Sequence, residues 1–109
     1  MAQFDVHRNM GALRESIPFV VLVQSAQFDR YRRRVVVPLV RRNLLPSKTP
    51  TVGSRMNPTF KIEGIDVVLH PLDMVSVSTE QLGAHVGSLA SHGQNIADAL
   101  DGLLSRSWR

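Results

Sequence analysis

At 109 residues the chain has room for one modest hydrophobic core, so a single domain over 1–109 is expected and a second is excluded. It holds no cysteine, which excludes disulfides and thiolate metal sites and fits a reducing cytoplasm. The net charge is +4, carried by eleven arginines and only two lysines, with six of the arginines between Arg30 and Arg42; such guanidinium groups suit an acidic partner, or else form a solvated surface.

No apolar run reaches membrane-spanning length, and Met1–Asp5 shows no basic stretch followed by an apolar one. A cytoplasmic protein that stays off the membrane is therefore expected. Gln3-Phe4-Asp5-Val6-His7 alternates polar and apolar, the mark of a half-buried strand. Asn9 to Ser16 has no sustained period and reads as a loop. Ile17 to Gln24 is β-branched and aromatic on both faces, which predicts a central strand covered on both sides, with Pro18 at its start. Arg34 to Val40 is a further strand, and Pro38 inside it predicts a bulge or an unpaired edge.

Arg41 to Pro58 is a long proline-containing excursion around a turn at Asn43-Leu44-Leu45. Loops of that length in small domains are commonly functional. Thr59–Ile62 and Ile65–Leu69 flank Glu63-Gly64, which predicts a two-residue hairpin. Met74–Ser78 alternates and reads as a last strand. Leu82, Val86 and Leu89 stand at i, i+4, i+7, so Thr79 to Leu89 is expected to hold a short helical segment, weakened by Gly83 and Gly87.

From Ser91 onward the chain reads as one amphipathic helix. Ser91 with Gln94 matches a capping box. Ile96, Ala99, Leu100, Leu103 and Leu104 fall on one face, with Asp98 and Asp101 on the other. The only tryptophan, Trp108, lies four residues beyond Leu104. It either docks on the protein or contacts a partner. The expected fold is mainly β with a C-terminal helix (α+β): five or six antiparallel strands in a small curled, SH3-like barrel, completed by a homodimer interface.

The chemistry carried by motifs is sparse. There is no glycine-rich phosphate loop, zinc motif or nucleophile elbow. His7, His70, His85 and His92 are scattered and read as surface or structural histidines. The Arg32-Arg33-Arg34 run is read as the solvated start of a strand rather than a nucleic-acid reader, because no interleaved aromatics accompany it. No catalytic residue, metal site or cofactor is expected, which favours a binding protein over an enzyme.

The order and spacing of Gln3-Phe4-Asp5-Val6, Val21-Leu22-Val23-Gln24-Ser25, Arg33–Leu39, Asp73–Val77 and the helix from Leu89 to Leu104 resemble the CcdB-type toxins of type II toxin–antitoxin modules. The resemblance runs nearly end to end. It implies a curled antiparallel sheet shared with the MazF/Kid ribonuclease toxins, a C-terminal helix and a homodimer. It also implies a non-catalytic protein that binds the A subunit of DNA gyrase and traps the enzyme on cleaved DNA, and a CcdA-like antitoxin whose disordered, acidic segment removes it.

The family's gyrase contacts are a Trp-Gly-Ile ending after the helix. An ungapped register places Ser105, Arg106 and Ser107 there, with Trp108 three places later, close to one helical turn, or about 5 Å, along the axis. Ser105, Arg106, Ser107 and Trp108 are therefore the candidate gyrase-binding residues. By charge and loop length, the antitoxin-binding candidates are Arg8 and Arg14 in the first loop region and Arg41, Arg42 and Arg55 in the excursion. Two alternatives stand beside this reading. One is a MazF/Kid-like endoribonuclease, although Met74-Val75-Ser76 lacks the basic residue that would stabilise a transferring phosphate. The other is a CcdB-fold homologue that binds antitoxin but no longer acts on gyrase.

Overall fold

The computed structural model describes residues 1–45 and 52–105. Its strands are β1 (Asp5–Asn9), β2 (Phe19–Leu22), β3 (Arg33–Arg41), β4 (Thr59–Ile62), β5 (Ile65–Leu69), β6 (Val75–Ser78) and β7 (Leu82–Ser88), followed by the helix α1 (Gly93–Leu104). All seven strands join one sheet in the order β4-β5-β3-β2-β1-β7, with β6 also paired to β3. Every pairing is antiparallel. The sheet curls into a half-barrel, and Arg8 on β1 reaches Glu63 in the β4–β5 turn at 2.7 Å, although β1 and that turn are not neighbours in the sheet.

Side-chain alternation sorts the two faces. Phe19 and Val21 of β2, Val37 and Leu39 of β3, and Val67 and Leu69 of β5 point into the curl and are fully buried. Ile96 and Ala99 of α1 close that core with no exposed surface. The β4–β5 turn has Glu63 at φ +50° and Gly64 at φ +78°. Positive φ at both central positions is the geometry that matches the twist of a two-residue hairpin.

Pro38 produces neither a bulge nor a sheet edge. The β2 register passes through the Val20–Pro38 pair without a shift. On its other side β3 pairs with β6 only up to Val36 and with β5 only from Leu39. Pro38 thus sits at the handover between two partner strands. Its carbonyl accepts from the His70 N–H there at 3.1 Å, and no ladder bond requires the N–H it lacks.

The expected helical segment at Thr79–Leu89 is instead a 3-10 turn, Thr79–Gln81, leading into strand β7. β7 pairs with β1 at Val6–Gly87, His7–His85 and Asn9–Leu82, with a register shift in each interval. Each shift inserts one extra residue into β7. The helical spacing of Leu82, Val86 and Leu89 marks no common face: Val86 and Leu89 pack on the core, whereas Leu82 turns to the other side of the sheet. The glycines fit the strand: a Cβ on Gly83 would lie 2.8 Å from the Arg8 carbonyl oxygen.

The capping box at Ser91 does not form. Ser91 lies within a 3-10 turn, Ala90–His92, and α1 begins at Gly93 behind an N-cap His92 with no side-chain cap. Gln94 donates one turn along to Asp98 at 2.9 Å. Packing fixes the helix start, since a Cβ on Gly93 would stand 2.6 Å from the Phe4 ring.

The arginine run also divides. Arg32 and Arg33 are exposed, but Arg34 is fully buried. Its Nη2 donates to the Gln24 and Ser25 carbonyls at 3.0 Å each, its Nε donates to Gln24 Oε1 at 3.3 Å, and its Nη1 bridges to Asp29. The Met1 ammonium, which donates to Asp29 at 2.8 Å, and then Arg34 hold the Asp29 carboxyl below its ordinary value.

Candidate binding surfaces

The helix is held at its first turns and released at its last. Gly93, Ile96 and Ala99 are buried, and Leu103 is half-buried. Leu104 is 69% exposed. Ser105 ends the helix, its N–H and Oγ both donating to the Asp101 carbonyl at 2.9 and 3.1 Å. Gln94, Asn95 and Asp101 face solvent. A Cβ on Gly102 would lie 3.2 Å from Met56 Cε, so the 52–57 turn packs beside the helix end. Of the tail candidates, Ser105 is exposed at that end; Arg106, Ser107 and Trp108 lie outside the described residues.

Three of the five arginines in the second candidate set, Arg8, Arg14 and Arg41, lie on or beside one loop. Ala12 and Leu13 of the loop from Met10 to Ser16 line two clefts. One, of about 240 Å³, also takes in Arg8; the other, of about 330 Å³, takes in Arg14 and Leu44. Arg41 ties the loop to the end of β3, donating through Nε to the Glu15 carbonyl at 2.7 Å. Arg41 and Arg42 border a further cleft of about 550 Å³ with Asn43, Leu45 and the β4–β5 turn. Arg55 is not part of this group and lies with Asn95 and Asp98 of α1.

The 240 Å³ cleft holds residues that charge alone did not single out. Val20, Val36, Pro38, Val75 and Val77 form its apolar floor on the outer face of the sheet. Met10 and Leu13 stand exposed at 62% and 63%. The signal was present in the sequence, because Val20, Val36 and Pro38 alternate with the core positions of β2 and β3. The surface combines an apolar floor with a guanidinium rim, suited to an extended segment bearing both apolar and acidic side chains.

Among the described residues no cluster of three or more histidine, cysteine or acidic side chains could hold a metal ion. His7 is buried, and its Nδ1 donates to the Gly83 carbonyl at 3.0 Å, the only sense in which that bond can run. His92 packs its ring on Phe60 at 5.4 Å. Both are structural. Among the described residues no helix is long and apolar enough to cross a membrane.

A family model described as CcdB protein matches residues 3–105, from the residue before Phe4 to Ser105, the C-cap of α1. The chain belongs to the CcdB family. No curated protein matches the sequence. Membership of the CcdB family implies the toxin component of a toxin–antitoxin module, and such toxins are typically non-catalytic poisons of DNA gyrase. The CcdB match and the curled half-barrel with one C-terminal helix agree on the fold.

Proposed function

We propose that this CcdB-family chain is a single-domain, homodimeric cytoplasmic toxin that binds the A subunit of DNA gyrase and traps it on cleaved DNA without catalysis of its own. The contact is made through the end of α1 and the segment Ser105, Arg106, Ser107 and Trp108. The observation that carries this reading is the family match running through Ser105. The build of α1 supports it: the helix is anchored by Ile96 and Ala99 and turns an exposed Leu104 outward. In a twofold dimer both helix ends recur, so a dimeric target could engage two copies. Tryptophan is strongly enriched among residues that dominate interface energetics.

Purified gyrase, supercoiled DNA and ATP test the reading directly. Linear cleaved DNA is expected to accumulate with the protein, and Trp108→Ala is expected to abolish that product while leaving the solution mass unchanged. Supercoiling that continues at excess protein, with no linear product, would overturn it.

Neutralisation follows from the second surface. An antitoxin's acidic, partly apolar segment lies over the Met10–Ser16 loop, its carboxylates on Arg8, Arg14, Arg41 and Arg42, with Arg55 as a separate contact beside α1. Exchanging Arg41 and Arg42 for glutamate is expected to weaken binding of an acidic antitoxin peptide at least tenfold, since like charges then meet across the contact. Unchanged affinity in a titration would remove these residues from the site.

A further inference from the structure

The face around Phe28, Tyr31 and the exposed arginines of the β2–β3 connection is separate from both surfaces above. Phe28 and Tyr31 stand with ring centroids 6.0 Å apart and planes tilted by 35°. Tyr31 is 64% exposed. The rings border a cleft of about 430 Å³ whose wall continues through Arg32, Arg33, Val35 and Ser76. Tyr31 already stands between Arg30 and Arg32 in the sequence, which the reading of the Arg32–Arg34 run as a solvated strand start overlooks, and the fold brings the Phe28 ring beside it.

The charge here is unneutralised. Among the described residues no carboxylate pairs with Arg30, Arg32 or Arg33. The nearby acid, Asp29, is committed to Arg34 and the Met1 ammonium. Arg33 is held in place by Ser76, with Nε on Oγ at 3.0 Å and Nη2 on the carbonyl at 2.6 Å, and its Nη1 has no partner among the described residues. The buried Arg34 fixes the Gln24–Asp29 turn that carries Phe28. The face therefore presents an exposed ring and guanidinium groups that no carboxylate among the described residues neutralises, on the support of the Arg34-bonded turn.

We propose that this face binds single-stranded nucleic acid without sequence preference, a base stacking on Tyr31 and phosphates engaging Arg30, Arg32 and Arg33. Guanidinium groups match phosphate oxygens in geometry, and aromatic faces stack any base. An acidic peptide would satisfy the charge but leave the exposed ring without a partner. The proposal stands apart from gyrase binding and does not depend on it.

The test is fluorescence anisotropy of a short fluorescein-labelled oligothymidylate with the full-length protein. Saturable binding is expected, weakened about tenfold or more by Tyr31→Ala, as loss of one stacked base predicts. Arg30→Gln with Arg32→Gln is expected to reduce the slope of log affinity against log salt by about 0.7 for each lost phosphate contact. All three positions are exposed, and thermal melts verify that the variants stay folded. Trp108→Ala is expected to bind the oligonucleotide as the parent does, which separates this site from the gyrase contact. No saturable binding, an affinity indifferent to Tyr31→Ala, an unchanged salt slope, loss of binding in Trp108→Ala, or equal competition by polyglutamate of matched charge would each overturn the proposal.

Discussion

Replacing Arg34 by alanine is expected to lower the unfolding free energy by about 3 kcal/mol, a large share of the 5–15 kcal/mol typical of a domain. Arg34 has no exposed surface, and its fork holds three acceptors of one turn: the Gln24 and Ser25 carbonyls and the Gln24 amide oxygen. Alanine would leave the Gln24 carbonyl without its donor over a cavity the size of the lost side chain, while the Ser25 carbonyl and Gln24 Oε1 would keep only the Phe28 and Val35 N–H groups. The Asp29 contact adds little to this sum, because that carboxylate is 40% exposed and water replaces its partner. Urea unfolding measures the change. Arg33→Ala is the control, expected within about 0.5 kcal/mol because its side chain is on the surface. An Arg34→Ala midpoint equal to that of the parent would show that the turn is held by something other than this fork.

Arg34 also shows where residue type misleads. Three consecutive arginines suggest a solvated start to a strand, and two of them are exposed. Strand alternation, however, turns Arg34 to the same face as Val36 and Pro38, where only a fully bonded guanidinium can be accommodated. The strands β2 and β3 were legible as β-branched apolar runs, and β4 and β5 because Glu63-Gly64 supplies the hairpin's backbone geometry between them. β7 was not, because two bulges break its alternation and Leu82, Val86 and Leu89 stand at helical spacing although they lie on different faces. The start of α1 was misplaced for a related reason: Ser91 and Gln94 satisfy a local capping pattern, but contact between Gly93 and the Phe4 ring decides where the helix begins. The candidate arginines could be chosen by charge, yet their grouping could not. That Arg8, Arg14 and Arg41 meet at one loop, with Arg42 on the neighbouring cleft, while Arg55 sits beside α1 depends on how the sheet curls, which no local pattern encodes.

Truncating Ile96 to alanine is expected to cost about 3 kcal/mol and to uncouple the helix from the barrel. Ile96 is fully buried, and with Gly93 and Ala99 it makes up the buried part of α1. An isolated helix of 12 residues is marginal in water, so α1 owes its persistence to this packing. Leu104 on the last turn is 69% exposed, and Leu104→Ala is expected to change stability by less than about 0.5 kcal/mol. The two variants therefore separate holding the helix from using its end. Under the proposed function, Ile96→Ala loses urea resistance and gyrase trapping together, whereas Leu104→Ala weakens trapping alone. Gyrase cleavage titrations run beside urea melts read both quantities from the same preparations. If Ile96→Ala unfolds at the parent's midpoint, the core does not hold α1. If it is destabilised but still traps gyrase at the parent's concentration, the docked helix is not what presents the contact.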